Sequence, residues 1–414
     1  MRVSKSADAP RADYGRSNSY IRASDTALWV VALSLLAYPL FGTLVAFTSL
    51  PSLAASAPIR AVILLLCIAL IVKTNSVVWT SPKALLFFAF WTLYFARLLW
   101  DMFVVDIPVA GEFMLNFVAF SVPTALAMLH APVIDERRLC KLLLLLGSIT
   151  CLLAIIASST DLAGERSFTG DAFDGRLFLE TVNPITFGHV GVTTIITALC
   201  MARYCSQLSD WLGVAVAVGL GTVTMQLAGS RGPVVALAIC LIALALYRKK
   251  FRWILIPLFL GAFVLLSGET TEATGALATR VAYTAERDTK EERVLIVATA
   301  LDQFLESPFL GSAIVERLFD SYPHNPILES AMALGVLGLA LFLIIHYNAM
   351  KRASVMLHRD QVALPLLALQ ALVGAQVSGS IAASAAVWMF LALYAGAGVR
   401  STGQVAVQPH QQPV

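Results

Sequence analysis

The chain has 414 residues, 58% hydrophobic and only 13% charged, with a formal net charge of +3 and a mean hydropathy of +0.78. Soluble domains carry about 25% charged residues, so a water-soluble globular protein is excluded, and no basic domain of the kind that binds nucleic acid is present. Apolar runs long enough to cross a bilayer core of roughly 30 Å recur along the chain and predict an all-α, polytopic integral membrane protein.

In chain order, residues 1–26 are polar and basic for too long to be a cleavable signal and predict a cytoplasmic tail. Twelve spans follow: Ala27–Thr48, Ile59–Val72, Ala84–Trp100, Phe113–Leu129, Leu139–Ser158, Thr186–Tyr204, Trp211–Leu227, Pro233–Tyr247, Trp253–Ser267, Pro326–Ala349, Val362–Val377 and Ile381–Val399. They make one transmembrane domain over residues 27–400, and the polar stretch 401–414 predicts a disordered cytoplasmic tail. The six cysteines form no CxxC pair and read as small core hydrophobes, neither a disulfide framework nor a metal site.

Orientation follows from lysine and arginine in the short loops. Arg2, Lys5, Arg11, Arg16 and Arg22, then Lys73 with Lys83, Arg137 with Arg138, Arg248 with Lys249, and Lys351 with Arg352 fall on one side when the span count is even. Both termini are therefore expected in the cytoplasm. The opposite side receives Asp101, Asp106, Glu112, the Ala228–Gly232 turn and a long loop, Gly268–Asn325. Within that loop, Thr289–Glu306 carries an apolar stripe at Val294, Val297, Leu301 and Phe304 or Leu305 and predicts an amphipathic helix on the membrane boundary, ended by Ser307-Pro308 and Gly311.

The candidate chemistry collects on that outer side. Gly229-Ser230-Arg231-Gly232-Pro233 is a tight turn in which Arg231 stands beside free helix amides, a combination suited to phosphate, and Gly232 lets a ligand approach the backbone. An interfacial arginine reaching for headgroups is the competing reading. His324 sits between Pro323 and the expected cap Asn325, with Pro326 opening the next helix. The positive end of that helix favours a neutral ring, able to take a proton from a hydroxyl. Glu329 either balances the helix dipole or orients His324, and Gly335 and Gly338 permit close helix contacts. Arg293 opens the apolar part of the amphipathic helix, with Arg287 and Arg280 as weaker candidates. Arg97 lies inside an apolar run, either as a functional arginine or paired with Asp101 four residues on. His189 near the start of the sixth span reads as a cavity residue or a packed polar one. No zinc, phosphate-loop, GxSxG or dinucleotide motif is present.

Three ordered segments carry a resemblance: Leu227-Ala228-Gly229-Ser230-Arg231-Gly232; Arg293-Val294-Leu295-Ile296 with Ser307-Pro308-Phe309-Leu310-Gly311; and His324-Asn325-Pro326-Ile327-Leu328-Glu329 with Gly335-Val336-Leu337-Gly338. With twelve spans around them, the chain resembles the O-antigen ligase and O-antigen polymerase superfamily of bacterial envelope glycosyltransferases, over roughly residues 186–348.

The resemblance implies an inner-membrane enzyme that moves a glycan from undecaprenyl pyrophosphate to an acceptor hydroxyl on the periplasmic face. Inversion, with no metal, no cofactor and no ATP, is implied too. The expected partners are the undecaprenyl-pyrophosphate-linked glycan, lipid A-core or another glycan acceptor, and membrane lipid. By resemblance Arg231 and Arg293 hold the pyrophosphate and His324 is base or phosphate contact. Ser230, Gly232, Asn325, Glu329, Arg97 and Arg287 are the expected substrate-binding residues. Pro326 departs from the smaller or hydrophobic residue common after the family's His-Asn pair, and the outer loop is modest in size, so the acceptor stays open. A ligase using lipid A-core is expected first, and a polymerase using an undecaprenyl-linked repeat second. A glycan flippase is disfavoured, because its ionisable residues would spread along a pathway rather than gather at one end.

Overall fold

Helix starts are written into the sequence as a capping side chain followed by proline. Ser81, Asn183 and Asn325 each accept a hydrogen bond from the backbone N–H three residues on. Pro82, Pro184 and Pro326 follow at the first helical position, where no N–H is needed. The computed structural model describes residues 13–48, 52–74, 81–160, 177, 179, 181–248, 292–358 and 361–400. Its helices are α1 (Asp13–Ala46), α2 (Ser52–Thr74), α3 (Pro82–Phe103), α4 (Ala110–Asn116), α5 (Val122–His130), α6 (Glu136–Ser158), α7 (Pro184–Met201), α8 (Leu208–Ala228), α9 (Arg231–Tyr247), α10 (Glu292–Glu306), α11 (Pro326–His358), α12 (Ala363–Ser378) and α13 (Ala385–Arg400).

Among the described residues, eight helices are long and apolar enough to cross a membrane by length and composition, and Arg231–Tyr247, Ala363–Ser378 and Ala385–Gly396 are shorter apolar helices. These coincide with the first eight and last three expected spans. The ninth, Trp253–Ser267, lies outside the described residues, as do Arg280, Arg287 and the loop up to residue 291. Among the described residues the only β features are two isolated bridges, Leu179 with Val182 and Glu316 with Ser321.

Three departures from expectation have physical reasons. Helix α1 starts at Asp13, inside the stretch expected as a tail, because helix hydrogen bonds are local and do not require apolar sequence. The fourth span is not a continuous α-helix: α4 and α5 are joined by a π-turn, Phe117–Ser121, and Ser121 Oγ donates to the Ala382 carbonyl at 2.7 Å. Helix α11 bends at Gly335 (φ 66°, ψ −162°) rather than using it to approach another helix.

That bend receives the loop. Gly311, also at positive φ, and Gly335 bring the two backbones together: a Cβ on Gly335 would lie 2.4 Å from the Phe309 carbonyl carbon, and one on Gly311 2.3 Å from that of Ala333. Hydrogen-bonding groups released by the bend are taken up across the contact. Ser312 N–H donates to the Met332 carbonyl at 2.8 Å, and Val336 N–H to the Pro308 carbonyl at 2.7 Å. Glycine is required at both positions, since any other residue would meet strain and backbone overlap together.

The core holding α3, α11 and α13 together is aromatic. Trp388 lies 5.4–6.4 Å, ring to ring, from Phe87, Phe90, Trp91, Phe117 and Phe342, and its indole N–H donates to the Ile381 carbonyl at 2.8 Å. Helix α10 turns Ile296, Ala300 and Gln303 toward the protein. The expected stripe of Val294, Val297, Leu301 and Leu305 points away from it, 43–63% exposed. An apolar face turned from the protein suits a helix lying against lipid.

Candidate functional site

Two turns distant in sequence meet at the end of α12. Helix α8 is stopped by Gly229 in the left-handed conformation (φ 54°), whose N–H donates to the carbonyls of Met225 and Gln226. Buried Ser230 follows in extended conformation, and Arg231 is the first residue of α9. A Cβ on Gly232 would sit 3.2 Å from Val377 Cγ1. The open face of Gly232 is therefore turned toward a side chain of α12.

The neighbouring residue of α12, Gln376, holds the second turn. Its carbonyl accepts from Asn325 Nδ2 at 3.2 Å, and its side-chain oxygen from Ile327 N–H at 3.4 Å. Asn325 also caps α11 as expected, its Oδ1 accepting from Leu328 N–H at 2.9 Å. The Arg231-Gly232 turn and the His324-Asn325 turn thus flank two consecutive residues, Gln376 and Val377.

His324 adopts a left-handed backbone conformation (φ 55°) between Pro323 and the capping asparagine. Its ring packs edge-on to Tyr322 at 4.4 Å between centroids, and Tyr322 packs on Phe113 at 5.8 Å. Burial pushes the Tyr322 hydroxyl above its usual value, and the negative charges of Glu329 and Glu112 push the same way, while Arg293 pulls it down. Arg293 on α10 thereby lies within electrostatic reach of the residue that packs on His324. The phenol is neutral at ordinary pH.

Glu329 is fully buried and both its oxygens are engaged. Oε1 accepts from the Tyr94 hydroxyl and Oε2 from Ile381 N–H, each at 2.8 Å. This carboxylate ties α11 to α3 and to the α12–α13 turn. Arg97 forms the expected pair with Asp101 at 3.4 Å. It also donates to the carbonyls of Leu310, Gly311 and Ser312 at 3.0, 3.2 and 2.8 Å. Asp101 accepts from Ile314 N–H at 2.9 Å, so the pair pins the loop between α10 and α11 from below. On α10 itself, Gln303 receives Arg317 N–H at 2.8 Å and donates to the Val315 carbonyl at 3.3 Å.

Residues 216–343 match the family model described as O-Antigen ligase. The resemblance to the O-antigen ligase superfamily holds over this region, which contains Arg231, Arg293, His324, Asn325 and Glu329. No curated protein matched the chain. Outside the O-antigen ligase region, α12 supplies the groups that join the two turns. Gln376 and Val377 were not anticipated, although a glutamine near the end of an apolar run is a legible signal. Tyr94, buried in α3, carried no such signal, because its partner Glu329 lies 235 residues away.

Proposed function

We propose that this protein transfers a glycan from undecaprenyl pyrophosphate to an acceptor hydroxyl at the membrane surface where these turns meet, on the periplasmic face of the bacterial inner membrane, with lipid A-core as the foremost acceptor. The observation that carries the reading is the meeting of the Arg231 and His324 turns on Gln376 and Val377.

In this reaction the acceptor oxygen attacks the anomeric carbon of the donor sugar. The bond from that carbon to the phosphate oxygen breaks, and its electron pair leaves with undecaprenyl pyrophosphate. The acceptor proton passes to the His324 ring. Attack opposite the leaving group inverts the anomeric centre. Arg231 and Arg293 hold the pyrophosphate, where charge grows as the bond breaks, so their field lowers the barrier. Ser230, Gly232 and Asn325 shape the seat. Glu329 and Arg97 act from below by holding α11 and the loop in place, so substrate contact is assigned here to the turns above them. Arg287 belongs to the same proposal.

The test is a transfer assay with purified protein, undecaprenyl-pyrophosphate-linked glycan from its own host, EDTA and no ATP, with and without lipid A-core. Product only with lipid A-core, lost in Arg231→Ala, is the expected result. Elongated undecaprenyl-linked glycan without lipid A-core would make the protein a polymerase. No product with either acceptor would sink the transferase reading.

A further inference from the structure

Arg60, an arginine with no carboxylate partner among the described residues, stands away from the site just described. Arg60 is the fourth residue of the apolar stretch Ala57–Thr74. Its guanidinium carbon lies 4.4 Å from the centre of the Phe120 ring. Among the described residues that stacking is its only interaction, and none of them takes up its hydrogen-bond donors. Successive spans alternate in direction, so the start of α2 lies on the same side as the end of α3, where Arg97 pins the loop. Phe120 belongs to the π-turn, a distortion that often marks function, and Asn116 immediately precedes that turn. Arg60 and Asn116 face one cavity of about 230 Å³.

This cavity shares walls with a larger one. Ser34, Ala383 and Ala385 line both it and a cavity of about 320 Å³ that carries His189, Thr193 and Gln370. The larger cavity reaches Ser378 and Gly379, which directly follow the Gln376-Val377 pair that joins the two turns. Shared walls therefore link the α12 residues next to the Gln376-Val377 pair, past His189, Thr193 and Gln370, to Arg60. An arginine on the apolar part of a span is costly unless an anion meets it. A phosphate is the anion its planar fork fits best.

We propose that Arg60, with Asn116, seats the phosphate of the second lipid-anchored substrate, the acceptor, while the cavity bearing His189 and Gln370 takes its sugar hydroxyls. The assignment rests on the transferase function proposed above. Joining two membrane-anchored molecules requires two anionic anchors to be held apart and their sugars brought together. Arg231 and Arg293 serve one anchor, and Arg60 serves the other.

The experiment is native mass spectrometry of the full chain with three probes in turn: undecaprenyl pyrophosphate, phosphorylated lipid A-core and phosphatidylglycerol. Wild type, Arg60→Ala, Arg60→Lys, Asn116→Ala and Arg231→Ala are compared, with thermal midpoints measured alongside. Arg60→Ala is expected to weaken one bound equivalent of undecaprenyl pyrophosphate, or the binding of lipid A-core, by about tenfold or more, the loss expected for a charge-assisted contact. Arg60→Lys restores part of it, and Asn116→Ala weakens the same equivalent without removing a charge, so the assignment is tested even where Arg60→Ala folds poorly. Arg231→Ala is expected to spare that equivalent and to remove another. Unchanged binding of both glycolipid probes in Arg60→Ala and Asn116→Ala would overturn the proposal. An equal loss of phosphatidylglycerol would overturn it too, by making Arg60 a general headgroup contact. If Arg231→Ala changes nothing while Arg60→Ala removes one equivalent, the donor reading of Arg231 falls and the Arg60 seat stands.

Discussion

Asn325 donates to the carbonyl of Gln376 at 3.2 Å, and the next residue of that helix, Val377, lies against Gly232. One turn of α12 therefore sets the spacing between the histidine turn and the arginine turn. If that spacing matters for transfer, disturbing Gly232 disturbs activity before it disturbs the fold. Gly232→Ala is expected to lower transfer several-fold with little change in thermal midpoint. Val377→Ala in the same chain is expected to restore it, because the added methyl then has room. A double-mutant cycle on initial rates checks this, and strict additivity would refute it.

The Gly311–Gly335 contact is a backbone-to-backbone fit at positive φ on both sides. Gly335→Ala is expected to cost about 2 kcal/mol or more, from strain plus overlap. Limited proteolysis would show the loop after α10 cut faster than in wild type. A rate equal to wild type would mean that the loop is held elsewhere.

The buried carboxylate of Glu329 is held by the Tyr94 hydroxyl and by Ile381 N–H. Glu329→Gln keeps an oxygen for Ile381 N–H but turns an amide N–H toward Tyr94, whose hydroxyl must change from donor to acceptor, and the loss of the charge-assisted bonds is expected to destabilise the protein by roughly 1 kcal/mol. Tyr94→Phe removes one donor and is expected to cost less on the Glu329→Gln background than on wild type. Denaturant midpoints of the four proteins decide the matter.

Tyr322 supplies a pH signature. Its hydroxyl is raised above the usual value of 10.0, first by burial and then by Glu329. A raised pKa means that the folded state holds the proton more tightly. The associated stability is fully present below pH 10 and is lost as pH rises through the folded-state value. Wild type is expected to lose stability above pH 10 more steeply than Tyr322→Phe, measured by thermal midpoint against pH. Parallel curves would show that the phenol does not report on the site.

Arg97 is expected to resist conservative replacement. Its planar fork reaches three successive carbonyls and Asp101 at once, which a lysine point charge does not reproduce. Arg97→Lys is expected to lower both thermal midpoint and transfer. A drop in transfer at unchanged stability, with weakened donor binding, would instead make Arg97 a substrate contact.

Much of this was legible in the chain itself. Apolar runs placed the helices, and Asn325 with Pro326 placed the start of α11, since these signals are local. The arginine turn, the amphipathic helix and the His324-Asn325 motif were visible for the same reason. On α10 the stripe turns outward, which suits the boundary helix read from the sequence; what the sequence did not show is that Gln303, on the opposite face, forms hydrogen bonds to the loop that follows. Arg60 went unread, although an arginine inside an apolar span was itself a signal. What only the tertiary structure decided is which residues are neighbours. Tyr94 with Glu329, Arg97 with the 310–312 carbonyls, and Gln376 and Val377 between the two turns are contacts set by how helices rotate and cross, and short-range spacing in a chain carries no information about that rotation.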